Sequence, residues 1–160
     1  MNSVEAIREA IRQAEFIALG YLSDLKDEEM FHRPAAGANH ITWQLGHLIT
    51  SEHKFMEHIR PGSMPPLPEG FADRYAKAQA ACDDPAAFDS RADLLRIERG
   101  QRAGTLALLE SLSDADLEQS TGIDYAPTVG ALLVMQSVHW VMHAGQWAVV
   151  RRQLGRPPLY

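Results

Sequence analysis

Cysteine is almost absent from this sequence, which contains Cys82 and no other thiol. A single cysteine cannot form a disulfide within the chain, and the cysteine-rich zinc sites are excluded for the same reason. The N-terminal segment MNSVEAIREAIRQ is charged and amphipathic, and it contains no apolar core of a signal peptide. We therefore expect a reducing, cytoplasmic setting for this protein.

Runs of lysine or arginine are also missing. The 21 acidic residues exceed the 15 basic ones, which gives a formal net charge of −6 at pH 7. Surfaces that bind nucleic acids need clustered positive charge, so we expect no nucleic-acid partner. A hydrophobic content of 46% and a charged content of 22% are typical of a globular protein. The length favours a single domain, which we place at residues 1–160.

Charge is missing from one long stretch, residues 125–150, which contains no aspartate, glutamate, lysine or arginine. A stretch of this length could cross a bilayer, which requires about 20 apolar residues. Four polar residues at its centre would be costly in lipid, so we expect a buried helix and no membrane partner. They are Gln136, His139, His143 and Gln146, and their spacing places them in one stripe along a helix. A buried helix with a single polar stripe usually has a polar partner opposite it.

Four long helical patterns follow one another along the chain, and no segment shows the alternation of a strand. The patterns cover about 3–22, 39–59, 87–112 and 128–154. Helices of this size measure about 30–40 Å, which predicts an all-α fold, a four-helix bundle. The connections at 23–38 and 60–86 are longer than a simple bundle uses. We expect these long loops to cover one end of the bundle and to help form a site.

The histidines suggest a metal site. His139 and His143 lie one turn apart on the fourth helix, so both imidazoles can reach one ion. On the second helix, His47 lies among apolar neighbours and is the natural third ligand. His40 is two turns from His47, about 10 Å along the axis, and cannot bind the same ion, while His53 points to another side. We therefore predict one divalent ion held by three imidazoles, with positions left open for water or substrate.

Glutamines and glycines near this site also allow two interpretations each. Gln136 and Gln146 flank the histidine pair in the same stripe. They would either hydrogen-bond the ligating histidines or a bound water, or bond a neighbouring helix. Gly100 and Gly104 lie four residues apart on the third long helix. Their missing side chains would either leave a cavity beside the metal or allow close packing of helices.

Two segments of the chain resemble the DinB-like family. They read RPAAGANHITWQLGHLITSEH at 33–53 and HWVMHAGQWAVVRRQLGRPP at 139–158. The features that carry the resemblance are GH within the second helix, HxxxHxGQ in the fourth, and the closing RRQLGRPP. The resemblance implies a bacterial four-helix bundle with up-down-down-up helix order, related to bacillithiol transferases and mycothiol-dependent isomerases. It also implies that His47, His139 and His143 hold zinc or nickel, and that the protein forms a homodimer.

Catalysis is the first functional hypothesis. A divalent ion with an open position would lower the pKa of a bound thiol or water and stabilise the resulting nucleophile. With a low-molecular-weight thiol and a small electrophile the reaction is an S-transfer, which we favour because of the resemblance. With water the protein would be a metal-dependent hydrolase. His40 and a loop carboxylate such as Glu52 are candidates for a general base.

Two alternative hypotheses involve no catalysis. In the first, the protein is a metal-binding stress-response protein without turnover. In the second, the histidines are structural, and the fourth helix is simply part of the core. If a metal is bound, we expect acidification toward about pH 5 to release it, because imidazoles with a reference pKa of about 6.5 must be neutral to bind it.

Overall fold

The computed structural model describes all 160 residues, and its regular structure is helical apart from one isolated bridge between Ser120 and Thr128. The helices are α1 (Ser3–Leu22), α2 (Ile41–Ile59), α3 (Phe71–Arg74), α4 (Arg91–Glu110), α5 (Asp114–Leu117) and α6 (Val129–Gln153). Short 3-10 turns lie at Glu28–Phe31, Lys77–Gln79 and Pro85–Ala87. The four long helices are those that the sequence pattern predicts, and the all-α fold is confirmed.

Two helix starts differ from the prediction, and local hydrogen bonds explain both. The helix α2 begins at Ile41 with His40 as its N-cap, because Nδ1 of His40 accepts the backbone N–H of Trp43 at 3.1 Å. The helix α4 begins at Arg91, later than predicted, because a separate 3-10 turn precedes it and the Ser90 side chain caps its first turn. Side-chain oxygen or nitrogen acceptors at an N-cap satisfy backbone N–H groups that have no partner within the helix.

Contacts near the ends of the long helices define their directions. Ile7 and Ala131 line the same groove near the starts of α1 and α6, and Arg151 donates to the carbonyl oxygen of Tyr21 near their ends. Hydrogen bonds join Gln44 to Gln146 and Glu52 to Trp140 between α2 and α6. They also join His53 to Gln101 and Arg60 to Ser111 between α2 and α4. It follows that α1 and α6 are parallel, that α2 is antiparallel to α6, and that α4 runs alongside α2 in the same direction. This is the expected up-down-down-up order.

The helix α6 contributes large side chains to the core on one face and leaves the other uncovered. Trp140 and Trp147 are fully buried, and aromatic side chains of this size dominate the energetics of a core. On the opposite face Val138 and Met142 are 53% and 56% exposed, so α6 is less completely buried than the sequence suggested. No helix of the protein combines the length and the apolar character that crossing a bilayer requires.

Candidate metal centre

Three histidines, the predicted ligands, meet between α2 and α6. The Nε2 atoms of His139 and His143 are 3.2 Å apart. The ring of His47 lies opposite, with centroid distances of 5.2 Å to His139 and 5.7 Å to His143. One ring nitrogen of each residue lies within 4.8 Å of the other two. Nitrogens bound tetrahedrally to zinc at about 2.0–2.1 Å lie about 3.4 Å apart, so the histidine pair on α6 already has the required separation.

Burial keeps these imidazoles neutral. It lowers the pKa of His143 to about 3 and that of His139 to about 4, and the adjacent imidazoles act in the same direction. Burial also lowers the pKa of His47 below its ordinary value. Each ring therefore keeps a free lone pair at neutral pH, and the neutral form is the one that binds a metal ion.

Gln44 determines which nitrogen of His143 is free. The indole N–H of Trp147 can only donate, and it lies 2.9 Å from Oε1 of Gln44, which identifies that atom as the amide oxygen. The same oxygen is 2.8 Å from Nδ1 of His143, so Nδ1 carries the hydrogen and donates it. The lone pair of His143 is consequently on Nε2, which faces His139. Metal-binding histidines are usually oriented by such a hydrogen bond from the second ring nitrogen.

The two glutamines that flank the histidine pair in the sequence differ in their hydrogen bonds to the site. Gln146 joins it indirectly, because its Oε1 accepts the amide N–H of Gln44 at 3.2 Å. Gln136 donates to the carbonyl oxygen of Leu132 within α6 and makes no hydrogen bond to the three histidines. Sequence reasoning missed Gln44 itself. The signal was a buried glutamine one turn before His47 in an otherwise apolar segment of α2.

Trp43 positions the third histidine. Its ring stacks on that of His47, with a centroid distance of 4.9 Å and an interplanar angle of 7°. The indole N–H donates to the carbonyl oxygen of Ala76 at 3.2 Å, which ties the ring to the loop that follows α3. Trp43 is buried, and it also forms part of one wall of the site.

A cleft of about 660 Å³ opens beside His47. One wall is the face of α2 that carries His47, and the other consists of the two long loops, as expected. Its lining includes Arg33, Trp43, His47, Thr50, Ser51, Lys54, Tyr75 and Lys77. No aspartate or glutamate lines the cleft. Its volume lies within the range of about 300–1,000 Å³ that is typical of small-molecule sites.

Neither candidate for a general base faces this cleft. His40 is buried, and its second nitrogen, Nε2, donates to the carbonyl oxygen of Cys82 at 3.0 Å. Glu52 lies on α2 and not in a loop, and its carboxylate accepts hydrogen bonds from Thr105 at 2.6 Å and Trp140 at 3.2 Å. Both side chains are occupied by the fold, so the two assignments are wrong.

Of the two glycines of α4, only Gly104 packs against another part of the chain, and its neighbours lie in a loop. A β-carbon at Gly104 would lie 2.9 Å from the ring of Pro65 and 3.0 Å from the sulfur of Met64. Around Gly100 there is open space. Neither interpretation of the pair holds as stated, because Gly104 allows close packing of α4 against a loop and not against another helix, and Gly100 has no close neighbour.

Comparison with known proteins identifies the family of this chain. A search of the curated proteins found no match. A family model described as the DinB superfamily matches residues 10–147, which is most of the chain. The matched region includes all three histidines of the site, the whole of α2 and α4, and most of α1 and α6. The resemblance seen in the segments 33–53 and 139–158 is confirmed, and this chain belongs to the DinB superfamily.

Proposed function

We propose that the protein binds one divalent metal ion, zinc or nickel, through His47, His139 and His143, and that it catalyses the transfer of a low-molecular-weight thiol to a small electrophile. The observation that carries the proposal is the convergence of three neutral imidazoles, one of which, His47, lines an accessible cleft. The fixed tautomer of His143 supports it, because the free lone pair lies on the nitrogen that faces the other ligands.

The cleft favours a thiol over water as the nucleophile. A bound divalent ion would lower the pKa of a thiol and stabilise its anion. Hydrolysis would also require a group that takes a proton from water, and no carboxylate lines the cleft. In the transfer, the thiol proton is lost to solvent, a bond forms between sulfur and an electrophilic carbon, and the leaving group departs with its electron pair. Low-molecular-weight thiols are reduced in the cytoplasm, where we place the protein.

Residues of the chain orient the partners of this reaction. Gln44 holds the ring of His143, and Trp43 holds that of His47, so two of the three ligands have fixed planes. A fixed geometry of this kind reduces the reorganisation that the reaction requires.

Metal content tests the first half of the proposal. Protein purified without a histidine tag should contain about one divalent ion per chain, as expected of a three-histidine site. Replacing His47, His139 or His143 by Ala should remove most of it. His53→Ala is the matched control, because His53 lies on α2 but bonds Gln101 on α4. Equal metal content in the four variants would overturn the assignment of the ligands.

Cobalt spectroscopy tests the second half. Adding a small thiol to the Co(II)-substituted protein should produce a sulfur-to-cobalt charge-transfer band, and His143→Ala should not show it. Conjugation of the thiol to a chromogenic electrophile then measures turnover. A cobalt spectrum that is unchanged at millimolar thiol contradicts the transferase proposal and leaves a metal-binding protein without thiol chemistry.

A further inference from the structure

The cleft beside the histidines concentrates positive charge on an acidic protein. Its lining contains Arg33, Lys54 and Lys77 and no acidic residue, although the chain carries a net charge of −6. The whole chain has only three lysines, the third being Lys26, so two of the three line this one cleft. A distribution of this kind creates a local potential that attracts anions to a molecule that otherwise repels them.

Arg33 is used by the fold. Its Nε donates to the carboxylate of Asp83 at 2.7 Å, and its Nη1 donates to the carbonyl oxygen of Ala38 at 2.7 Å. Its Nη2 donates to the carbonyl oxygens of Ala80 at 2.9 Å and Cys82 at 3.2 Å. These bonds tie the two long loops together and leave the guanidinium little capacity for a ligand.

The two lysines have no such structural role. Lys54 and Lys77 are exposed, and neither forms an ion pair with a carboxylate of the chain. Lys54 lies on the helical wall of the cleft and Lys77 on the loop wall. Their ammonium groups are therefore free to bind a ligand from two sides.

Lys54 lies on the same helix as His47, which marks the end of the cleft nearest the three histidines. Lys54 follows His47 by two helical turns, which is about 10 Å along the axis, on the same face. The hydroxyl-bearing residues Thr50 and Ser51 line the cleft between them. A ligand with its reacting atom at the histidines would therefore place a group several bonds away beside the lysines.

We infer that the substrate of this cleft is an anion, and that Lys54 and Lys77 bind its carboxylate or phosphate while the other end lies at the three histidines. This inference rests on the proposed function for the identity of the reactive end. It assigns the two lysines to substrate selection, because an ammonium group is a compact charge that binds either kind of oxyanion.

A matched pair of thiols tests the inference. The probes are 6-mercaptohexanoate and 6-mercaptohexanol, which have the same length and differ in the terminal charge. Titration of the cobalt charge-transfer band should give a dissociation constant about three- to ten-fold lower for the carboxylate, and this preference should shrink with added salt. In the Lys54→Gln/Lys77→Gln variant the preference should disappear, while binding of the alcohol stays the same. Lys26→Gln is the matched control and should keep the preference.

The outcomes separate this inference from the proposed function. If both thiols produce the band with equal affinity in the native protein, thiol binding at the metal is supported, and the inference that the lysines select an anionic substrate is overturned. If neither thiol produces the band, the proposed thiol transfer is contradicted. The inference that Lys54 and Lys77 bind an anion is then tested by measuring anion binding to the metal-free protein.

Succinate and inorganic phosphate are the probes for the metal-free protein, and NMR chemical shifts are the readout. Shifts of the residues around Lys54 and Lys77 that are absent in the double variant support the inference, and the stronger of the two ligands identifies the preferred oxyanion. No shift with either anion at millimolar concentration overturns it.

Discussion

Gln44 holds His143 in one tautomer, because its amide oxygen accepts hydrogens from both Nδ1 of His143 and Nε1 of Trp147. Its amide nitrogen donates to the carbonyl oxygen of Asn39 at 2.6 Å and to Gln146. All the hydrogen-bonding groups of this buried side chain are therefore used. A polar group that is fully satisfied in the interior fixes one geometry, and here the geometry is that of a metal ligand.

Replacing Gln44 by Leu should weaken metal binding by about 10- to 100-fold, because the second nitrogen of His143 loses the acceptor that orients the ring. A chromophoric chelator in competition with the protein measures this affinity. Gln136→Leu is the control, since Gln136 is equally buried but bonds only within α6. Both variants are expected to lose stability, by about 1–3 kcal/mol. Unchanged affinity in the Gln44 variant would show that the amide does not act on the metal.

The helix α2 and the loop that covers it meet at Gly46, immediately before His47. A β-carbon at Gly46 would lie 2.1 Å from the ring of Tyr75. Tyr75 is buried, and its hydroxyl group accepts the backbone N–H of Asp89 at 3.0 Å and donates to its carboxylate at 3.1 Å. Glycine within a helix costs about 0.5–1 kcal/mol relative to alanine. At this position the missing side chain leaves room for the Tyr75 ring to pack against α2.

Gly46→Ala should therefore destabilise the fold by about 1–3 kcal/mol, because the new methyl group displaces the Tyr75 ring. Urea unfolding measures the loss. Gly100→Ala on α4 is the matched control, since no atom lies within 4 Å of its β-carbon position. That variant should gain about 0.4–1 kcal/mol from the reduced entropy of the unfolded chain. The same sign of change in both variants would contradict the packing explanation.

Local spacing explains why the helices and the three histidines could be predicted from the sequence. The pair on α6 lies one turn apart, and the position of His47 within the apolar part of α2 is also a property of one helix. Gln44 and Trp43 could not be assigned in this way, because their roles depend on how α2 is rotated against α6 and on where the loops lie. Glu52 was misplaced for the same reason: its partners Thr105 and Trp140 come from two other helices.

The whole molecule leaves an apolar surface uncovered along α6. It consists of Val134, Val138, Val141, Met142 and Val149, each between 41% and 56% exposed. A groove between α1 and α6 continues it, lined by Ala10, Ile17 and other largely apolar residues. Large exposed apolar patches on a folded protein mark interaction sites. We propose that this surface is the interface of the homodimer that the family resemblance implies.

A double variant tests the dimer. Val138→Glu with Met142→Glu places two charges on the uncovered face and should convert a dimer into a monomer in light scattering coupled to size-exclusion chromatography. Tyr125→Glu is the control, because Tyr125 is an exposed apolar residue outside α6, 63% exposed. A native protein that is monomeric at all concentrations would contradict the proposal.

Folding of the whole molecule is also coupled to pH through the buried imidazoles. The pKa values of His139, about 4, and His143, about 3, lie below the value of about 6.5 expected for the unfolded chain. Between these values the unfolded chain binds more protons, so the free energy of unfolding of the metal-free protein should fall as the pH decreases from about 6.5 toward 4. Urea unfolding at a series of pH values measures this slope, which should be smaller in His139→Leu/His143→Leu.

The same lowered pKa values revise the expected release of the metal. Release toward about pH 5 was predicted from reference imidazoles, but in the folded protein protons compete with the ion only where the histidines begin to titrate. The ion should therefore be lost at a lower pH than reference imidazoles suggest, toward pH 4, where the pKa of His139 lies. Because a ligand that binds only the native state stabilises it, a chelator should lower the Tm at both neutral pH and pH 5. Metal loss centred near pH 6, in protein that circular dichroism shows to be folded, would contradict this prediction.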